Sequence, residues 1–137
     1  MPAIFEYRWQ VTESEIDGLD HVGNVEYLRW LQAAAIAHSA AQGWPTEKYF
    51  KLGAGWVVRS HQIEYLMPAL RGNTIVVRTW VSSLRGIRSV RRYEVWRPDD
   101  QTLLARAQTE WVFISFATRQ PVRVPAEIQQ AFEIIAD

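Results

Sequence analysis

The 137-residue sequence lacks cysteine, has only two lysines and has no net charge, since 15 acidic residues balance 15 basic ones. Without cysteine, disulfides and thiolate metal sites are excluded, and a reducing compartment is compatible with the composition. Without a net charge, no overall field attracts the chain to nucleic acid or to a membrane, so neither partner is expected. No apolar run approaches the roughly 18 residues that a membrane helix needs, and the N-terminus has no basic region followed by an apolar run. We therefore expect a soluble cytoplasmic protein.

What the chain does contain is typical of a folded globular protein. Apolar residues make up 48% of the sequence and aromatic residues 12%, including seven tryptophans. This composition is sufficient for a sizeable core. A length of 137 residues fits one domain, and no repeat, linker or low-complexity segment divides the chain. We expect residues 1–137 to form a single domain.

The most informative stretch runs from Glu13 to Gly43. It begins as an acidic, glycine-containing loop and continues into an alanine-rich segment that predicts a helix over residues 25–42, with Asn24 as its N-cap. A helix N-terminus has unpaired amides and partial positive charge, so it can hold an anion or a developing oxyanion. Asp17 precedes Asn24 by seven residues and would face whatever those amides hold. On the pattern alone, capping and turn formation explain these residues better than catalysis does.

The remainder of the chain predicts mainly β-structure. Residues 45–55 are expected to be irregular, because Pro45 opposes a new helix directly after the first one, and residues 126–136 predict a short terminal helix. In the last strand, Ala105 and Ala107 lie on one face and are small enough to let the central helix pack closely. This order of elements is that of an α+β fold, with a curved antiparallel sheet around one apolar helix. The predicted strands are 4–11, 56–67, 74–84, 88–97 and 102–116.

The loop resembles the signature of the hotdog-fold acyl-CoA thioesterases, the 4-hydroxybenzoyl-CoA thioesterase superfamily. That signature is Asp-x-Asp-x-x-Gly-His-Val-x-Asn-x-x-Tyr, followed by Leu and an aromatic residue. Two positions differ: the glycine before the histidine is Asp20 here, with a glycine instead at Gly18, and Gly23 replaces a residue that is usually larger. The resemblance implies a hotdog fold, hydrolysis of an acyl thioester, and no metal or other cofactor. The matching residues are Glu15, Asp17, His21, Val22, Asn24, Tyr27, Leu28 and Trp30.

The resemblance also implies roles for individual residues. Asp17 takes the position of the catalytic carboxylate, which either attacks the thioester carbonyl or activates a water to do so. The backbone amide of Asn24 takes the position of the oxyanion donor, while its side chain caps the helix. His21 would orient Asp17 or the substrate carbonyl, although a lone loop histidine is more often structural. Tyr27 would pack and line the substrate site, and Glu15 would support it.

A cluster of arginines forms a second candidate binding site. Arg85, Arg88, Arg91 and Arg92 lie within eight positions. Guanidinium groups pair well with phosphate, so Arg88 and Arg91 are candidates for binding the phosphates of coenzyme A or the acidic surface of a carrier protein. A solvated strand face that opposes edge-to-edge aggregation explains the cluster at least as well.

Two other functions remain open at the level of sequence. The first is a dehydratase or hydratase of acyl thioesters with a hotdog fold, although the spacing from Asp17 to Asn24 argues against that class. The second is a hotdog protein that binds an acyl group without catalysing a reaction. The substrate would be a thioester of coenzyme A or of acyl carrier protein, with an acyl group that the sequence does not specify. A single sheet leaves edge strands uncovered. We therefore expect a homodimer or homotetramer, and the resemblance implies active sites between two subunits.

Overall fold

The computed structural model describes residues 3–137. Within them lie five β-strands, three α-helices and a short 3-10 turn at Glu13–Glu15. No helix in this part of the chain is long and apolar enough to cross a membrane. In chain order the elements are β1 (Phe5–Gln10), α1 (Asn24–Ala41), α2 (Thr46–Leu52), β2 (Ala54–Tyr65), β3 (Thr74–Arg85), β4 (Arg88–Arg97), β5 (Thr102–Ser115) and α3 (Ala126–Ala131).

The strands form one antiparallel sheet in the order β1-β3-β4-β5-β2, so that β1 and β2 are its edges. A tight turn at Gly86, whose φ is 62°, joins β3 to β4. The pairing register shifts between Val58 and Ser60 in β2 and between Val81 and Ser83 in β3. Such bulges bend the strands that contain them and increase their twist. The predicted α+β fold with a curved antiparallel sheet is therefore confirmed.

One side of α1 packs on the inner face of the sheet. Leu31 and Ala34 of the helix and Ala105 of β5 are almost fully buried in the same cluster. The helix backbone itself comes closest to β1 and β3, so the close approach to β5 that Ala105 and Ala107 predict is not found. The other side of α1 is open, since Val25 is 61% and Ile36 is 56% exposed. The helix is therefore covered on one side only within a single chain.

Two predicted segments differ from the structure. Residues 45–55 were expected to be irregular, but α2 forms there, with Pro45 at its N-cap. A proline at a helix start is tolerated because no intrahelical partner is needed for its missing N–H. The predicted terminal helix stops at Ala131 instead of continuing to residue 136. Beyond it the chain is extended, and the Ile135 amide donates a hydrogen bond of 2.9 Å to the carbonyl of Val81 in β3.

Candidate active site

The carboxylate of Glu15 is buried and connects three parts of the fold. Its Oε2 accepts a hydrogen bond of 2.8 Å from the indole of Trp30 on α1, and its Oε1 accepts one of 3.1 Å from Trp9 on β1 and one of 2.7 Å from the amide of Thr12. Burial alone would raise the pKa of this carboxyl, but these hydrogen bonds lower it below its ordinary value. Glu15 therefore remains ionised and fixes the loop that follows it.

Asp17 lies in that loop and is exposed to solvent. Its Oδ1 accepts hydrogen bonds from the amides of Leu19 at 2.9 Å and His21 at 3.2 Å. The Asp17 amide in turn donates to the carbonyl of His21 at 2.7 Å, which closes the loop. Within residues 3–137, Oδ2 has no hydrogen-bond partner. One carboxylate oxygen is thus held in place while the other is accessible.

Asp20 stands where the thioesterase signature has glycine, and its backbone conformation explains why glycine is favoured at this position. The φ angle of Asp20 is 63°, in the left-handed region that glycine adopts without strain and that Asp tolerates better than most residues. The Asp20 carboxylate also pairs with the guanidinium of Arg71, which contacts Glu13 as well. Asp20 therefore has a conformation that glycine also adopts, and its carboxylate adds an ionic contact across the loop.

The loop folds back against the start of α1. A Cβ added at Gly23 would lie 4.0 Å from the Cβ of Asp17, so the two residues are neighbours. Gly23 is the N-cap, whereas Asn24 was expected there; Asn24 is the first helical residue, and its side chain makes no capping hydrogen bond. In the described chain the amide of Asn24 has no hydrogen-bond partner. Asp17 therefore lies close to the start of α1, where the amide of Asn24 is unpaired in the described chain.

His21 and Tyr27 lie in contrasting surroundings. His21 is exposed and contacts Asp17 only through its backbone, and no hydrogen bond involves its imidazole within residues 3–137. Tyr27 is 3% exposed, and its hydroxyl accepts a hydrogen bond of 3.0 Å from the amide of Ala69. Burial raises the pKa of this phenol. Tyr27 thus anchors the segment next to the loop, and its hydroxyl is already engaged by the backbone.

Arg88 and Arg91 do not form one binding site. They are three residues apart on β4, and successive side chains on a strand point to opposite faces. Arg88 is exposed and pairs with Glu110 at 3.3 Å. Arg91 is 6% exposed on the inner face, where its Nη1 donates to Nδ1 of His38 at 2.9 Å. The prediction that Arg88 and Arg91 bind phosphates together is therefore wrong, because their side chains lie on opposite faces of the sheet.

A cavity of about 410 Å³ lies between the second half of α1, α2 and the inner face of the sheet. This volume falls within the range of small-molecule sites, about 300–1,000 Å³. Most of its wall is aromatic or aliphatic, and Arg91 is the one charged residue among the described residues that line it. The cavity was not predicted from the sequence. Its tryptophans, Trp44, Trp56 and Trp111, are visible in the sequence, but nothing local shows that they surround a common space.

The Gly55 end of the cavity lies far from the Asp17 loop. Gly55 lines the cavity at the start of β2, whereas Tyr65 at the end of β2 donates a hydrogen bond of 3.1 Å to the carbonyl of Asn24. Ten residues of strand separate these positions by about 33 Å along the chain. A single chain therefore does not place this end of its cavity beside its own Asp17.

The chain is similar to known proteins in both sequence and structure. The family described as "Acyl-ACP thioesterase N-terminal domain" matches residues 2–132. An acyl-[acyl-carrier-protein] hydrolase from chloroplasts of Cuphea viscosissima is 27% identical over 139 residues, which are 95% of this chain but 33% of that protein. The chain thus spans about a third of the length of that relative.

Two further comparisons, one of sequence and one of structure, cover nearly the whole length of the matched protein. A 1,4-dihydroxy-2-naphthoyl-CoA hydrolase of Synechocystis is 28% identical over 134 residues, which are 93% of each protein. The crystal structure of a 1,4-dihydroxy-2-naphthoyl-CoA thioesterase from Synechocystis has a TM-score of 0.86 at 24% identity, and the match covers 93% of this chain and 94% of that one. This structural likeness confirms the hotdog fold.

Proposed function

The chain belongs to the acyl-ACP thioesterase family, and from that premise we propose that it hydrolyses an acyl thioester of coenzyme A or acyl carrier protein to the free acid and the thiol. The observation that supports this most is the position of Asp17 beside the start of α1. One oxygen of its carboxylate is held by two amides, the other is free, and the neighbouring Asn24 amide is unpaired in the described chain. Thioester hydrolysis requires such a base or nucleophile facing a hydrogen-bond donor.

In the proposed reaction the thioester carbonyl oxygen points at the amide of Asn24. That amide stabilises the oxyanion as it develops, an effect worth about 3 kcal/mol in enzymes where one such donor has been removed. The free oxygen of Asp17 either removes a proton from the attacking water or attacks the carbonyl carbon itself. In the first route the C–S bond breaks and the thiolate leaves, taking up the proton that Asp17 removed from the water. In the second route the C–S bond breaks as the acyl group passes to Asp17 as a mixed anhydride. Water then cleaves the anhydride, which frees Asp17 and the acid and supplies the proton that the thiolate takes up.

Glu15, Tyr27 and His21 support this chemistry indirectly in the proposal. Glu15 serves as a positioning residue, because four groups donate hydrogen bonds to its carboxylate and fix the loop before Asp17. Tyr27 holds the segment at Ala69, whose carbonyl accepts a hydrogen bond from the amide of Val22 at 3.0 Å. His21 contributes its backbone N–H to Asp17, and its exposed imidazole is free to meet the substrate.

We also propose a homodimer in which β2 pairs with β2 of a second copy. β2 is a 12-residue edge strand with two half-exposed valines, Val57 and Val58. Free edges of this kind pair readily with another strand. Antiparallel pairing about a two-fold axis would place the Gly55 end of one copy beside the Tyr65 end of the other. The cavity of each copy would then lie near the Asp17 loop of its partner, and two such dimers can associate into a tetramer.

The reaction can be tested directly on the purified chain. A panel of acyl-CoAs is incubated with the protein and a thiol-detecting reagent, and the products are examined for altered unsaturation. Release of free thiol supports a hydrolase, altered unsaturation without thiol identifies a dehydratase or hydratase, and neither change identifies an acyl-binding protein. Asp17→Asn serves as the inactive variant. Asp20→Asn serves as its matched control, because Asp20 is an exposed carboxylate of the same loop.

The cytoplasm is the proposed location of the reaction. This part of the proposal rests on the absence of cysteine, which suits a reducing compartment. Fractionation of cells that produce the natural protein would test it. Recovery of the protein in a secreted or membrane fraction would contradict the proposal.

A further inference from the structure

Arg91 is a buried cation on the wall of the cavity and has no acidic partner. It is 6% exposed, and it makes no ion pair with any carboxylate in residues 3–137. Burying a charge is costly unless the charge is paired and hydrogen-bonded, so a lone buried guanidinium is uncommon in a structural role. An arginine cannot avoid this cost by losing its proton at ordinary pH.

The hydrogen bonds that Arg91 does make use one nitrogen only. Its Nη1 donates to Nδ1 of His38 at 2.9 Å and to Oγ1 of Thr79 at 3.1 Å. The remaining nitrogens, Nε and Nη2, have no hydrogen-bond partner within the described chain. Those two nitrogens form one edge of the guanidinium and present two parallel N–H groups. This is the arrangement that binds a carboxylate through two hydrogen bonds.

Three hydroxyls on the cavity wall, those of Ser39, Tyr49 and Ser89, are already engaged, whereas the indole Nε1 of Trp111 has no hydrogen-bond partner in the described chain. The Ser39 hydroxyl donates to the carbonyl of Trp44 at 2.8 Å, so the Tyr49 hydroxyl must donate in the 2.9 Å contact between Tyr49 and Ser39. The Ser89 hydroxyl donates to the carbonyl of Ser83 at 2.9 Å. Arg91 is therefore the strongest donor that the cavity still offers, and the rest of the wall is mainly apolar.

His38 cannot supply the missing negative charge. Because arginine only donates, Nδ1 of His38 must accept, and the imidazole is neutral with its proton on Nε2. Burial, together with the charge of Arg91, lowers the pKa of His38 to about 4. The ring also stacks on Phe5 and meets the edge of Phe132. His38 and the aromatic rings around it therefore bring no negative charge to the guanidinium of Arg91.

We propose that the cavity takes an acyl group whose far end carries a carboxylate, which the free edge of Arg91 binds. The apolar wall accommodates the carbon chain between the two ends. The preferred substrate class is then a half-thioester of a dicarboxylic acid instead of a thioester of a simple fatty acid. This inference rests on the proposed thioester hydrolysis and specifies its substrate.

The test compares matched pairs of CoA thioesters that end in a methyl group or in a carboxylate, with acyl chains of about six to ten carbons to suit a pocket of this size. With the wild-type protein, kcat/KM should be about 10- to 100-fold higher for the carboxylate-ended member, the usual effect of a charged hydrogen bond. Arg91→Met should abolish that preference while leaving the methyl-ended substrate at least as good. Arg91→Lys should show an intermediate preference, because it keeps the charge but loses the paired donors.

Arg106→Met is the matched control, since Arg106 is an exposed arginine of β5 that pairs with Glu64 on the surface. It should keep the preference of the wild type. A wild-type protein that prefers the methyl-ended substrate, or an Arg91→Met variant that loses both substrates equally, overturns the proposal. If Arg91→Met fails to fold, the comparison of carboxylate-ended with methyl-ended substrates on the wild-type protein still tests the proposal.

Binding of the free acids separates this inference from the proposed function. Calorimetric titration of the wild type should show tighter binding of the diacid than of the monoacid of equal length, and Arg91→Lys should reduce the difference. If no thioester is hydrolysed but the diacid binds more tightly, the proposed function fails and the Arg91 site stands. If thioesters are hydrolysed but the two acids bind equally, the Arg91 site fails and the proposed function stands.

Discussion

The indole Nε1 of Trp30 donates a hydrogen bond of 2.8 Å to Oε2 of Glu15. This contact joins the first turns of α1 to the 3-10 turn that precedes Asp17, and both partners are buried. Because Oε1 of the same carboxylate accepts from Trp9 and Thr12, one side chain fixes the loop to both β1 and α1. The position of Asp17 relative to the helix N-terminus therefore depends on a buried residue.

Glu15→Gln should destabilise the protein by about 2 kcal/mol, because the amide nitrogen cannot accept a hydrogen bond and leaves a buried donor unpaired. Equilibrium unfolding in urea measures the change. Glu13→Gln is the control: Glu13 is exposed in the same turn, and its pair with Arg71 should contribute about 1 kcal/mol or less. Equal stability of the two variants would contradict the structural role of Glu15.

Asp17→Asn should reduce kcat by about 10²- to 10⁴-fold, the usual contribution of a general base. The amide keeps the size of the side chain and its Oδ1 still accepts from Leu19 and His21, so the thermal midpoint should remain close to that of the parent. Steady-state kinetics with the best acyl-CoA of the panel measure the loss. Turnover at the wild-type rate would remove Asp17 from the mechanism.

The φ angle of Asp20 leads to a prediction about the backbone. Asp20→Gly and Asp20→Val both lose the contact with Arg71, so the difference between them isolates the conformational cost. The valine variant should be less stable than the glycine variant by about 1–2 kcal/mol, since only the glycine adopts a left-handed conformation without strain. Thermal unfolding of the pair gives the comparison, and similar midpoints would show that the loop has rearranged.

His38 should make stability depend on pH in acid. Its pKa is lowered from 6.5 to about 4 in the folded chain, so between these values the unfolded chain binds a proton that the folded chain does not. Stability attributable to His38 is therefore complete above pH 6.5 and falls as the pH falls towards 4, by up to about 3 kcal/mol.

His38→Gln should flatten the pH dependence, because the Gln carbonyl still accepts from Arg91 but does not titrate. Denaturant unfolding at several pH values between 7 and about 4 measures the slope for the parent and the variant. His21→Gln is the control, since this exposed imidazole has no hydrogen bond in the described chain. An unchanged slope in His38→Gln would refute the assignment.

The proposed pairing of β2 predicts that the protein sediments as a dimer or larger assembly at micromolar concentration. Replacing Val57 and Val58 together with lysine should shift it towards a monomer of 15.9 kDa, because charged lysines on an edge strand oppose its pairing with another strand. Gln10→Lys on the opposite edge strand β1 should have no such effect. A wild-type monomer at these concentrations would contradict the proposed dimer.

Much of the fold was predictable because its signals are local. The alternation in β5, the alanines of α1 and the turn residues around Gly86 each act on near neighbours, and all three elements form close to their predicted bounds. The terminal helix and the segment after Pro45 were predicted wrongly. The terminal helix ends early because Ile135 instead forms a long-range hydrogen bond with β3. The segment after Pro45 is helical because proline is tolerated at the start of a helix, although it is unfavourable inside one.

Among the candidate site residues, the sequence by itself determined that an acidic loop meets the start of α1, because a short spacing along the chain limits where Asp17 can lie. The strand period also separates Arg88 from Arg91, and that signal was available in the sequence. Which of the two arginines is buried was decided only by the tertiary structure, since burial depends on where α1 packs. The cavity and the contact between Trp30 and Glu15 were likewise decided only by the tertiary structure. These features join elements far apart along the chain, and only the packing of helix on sheet brings them together.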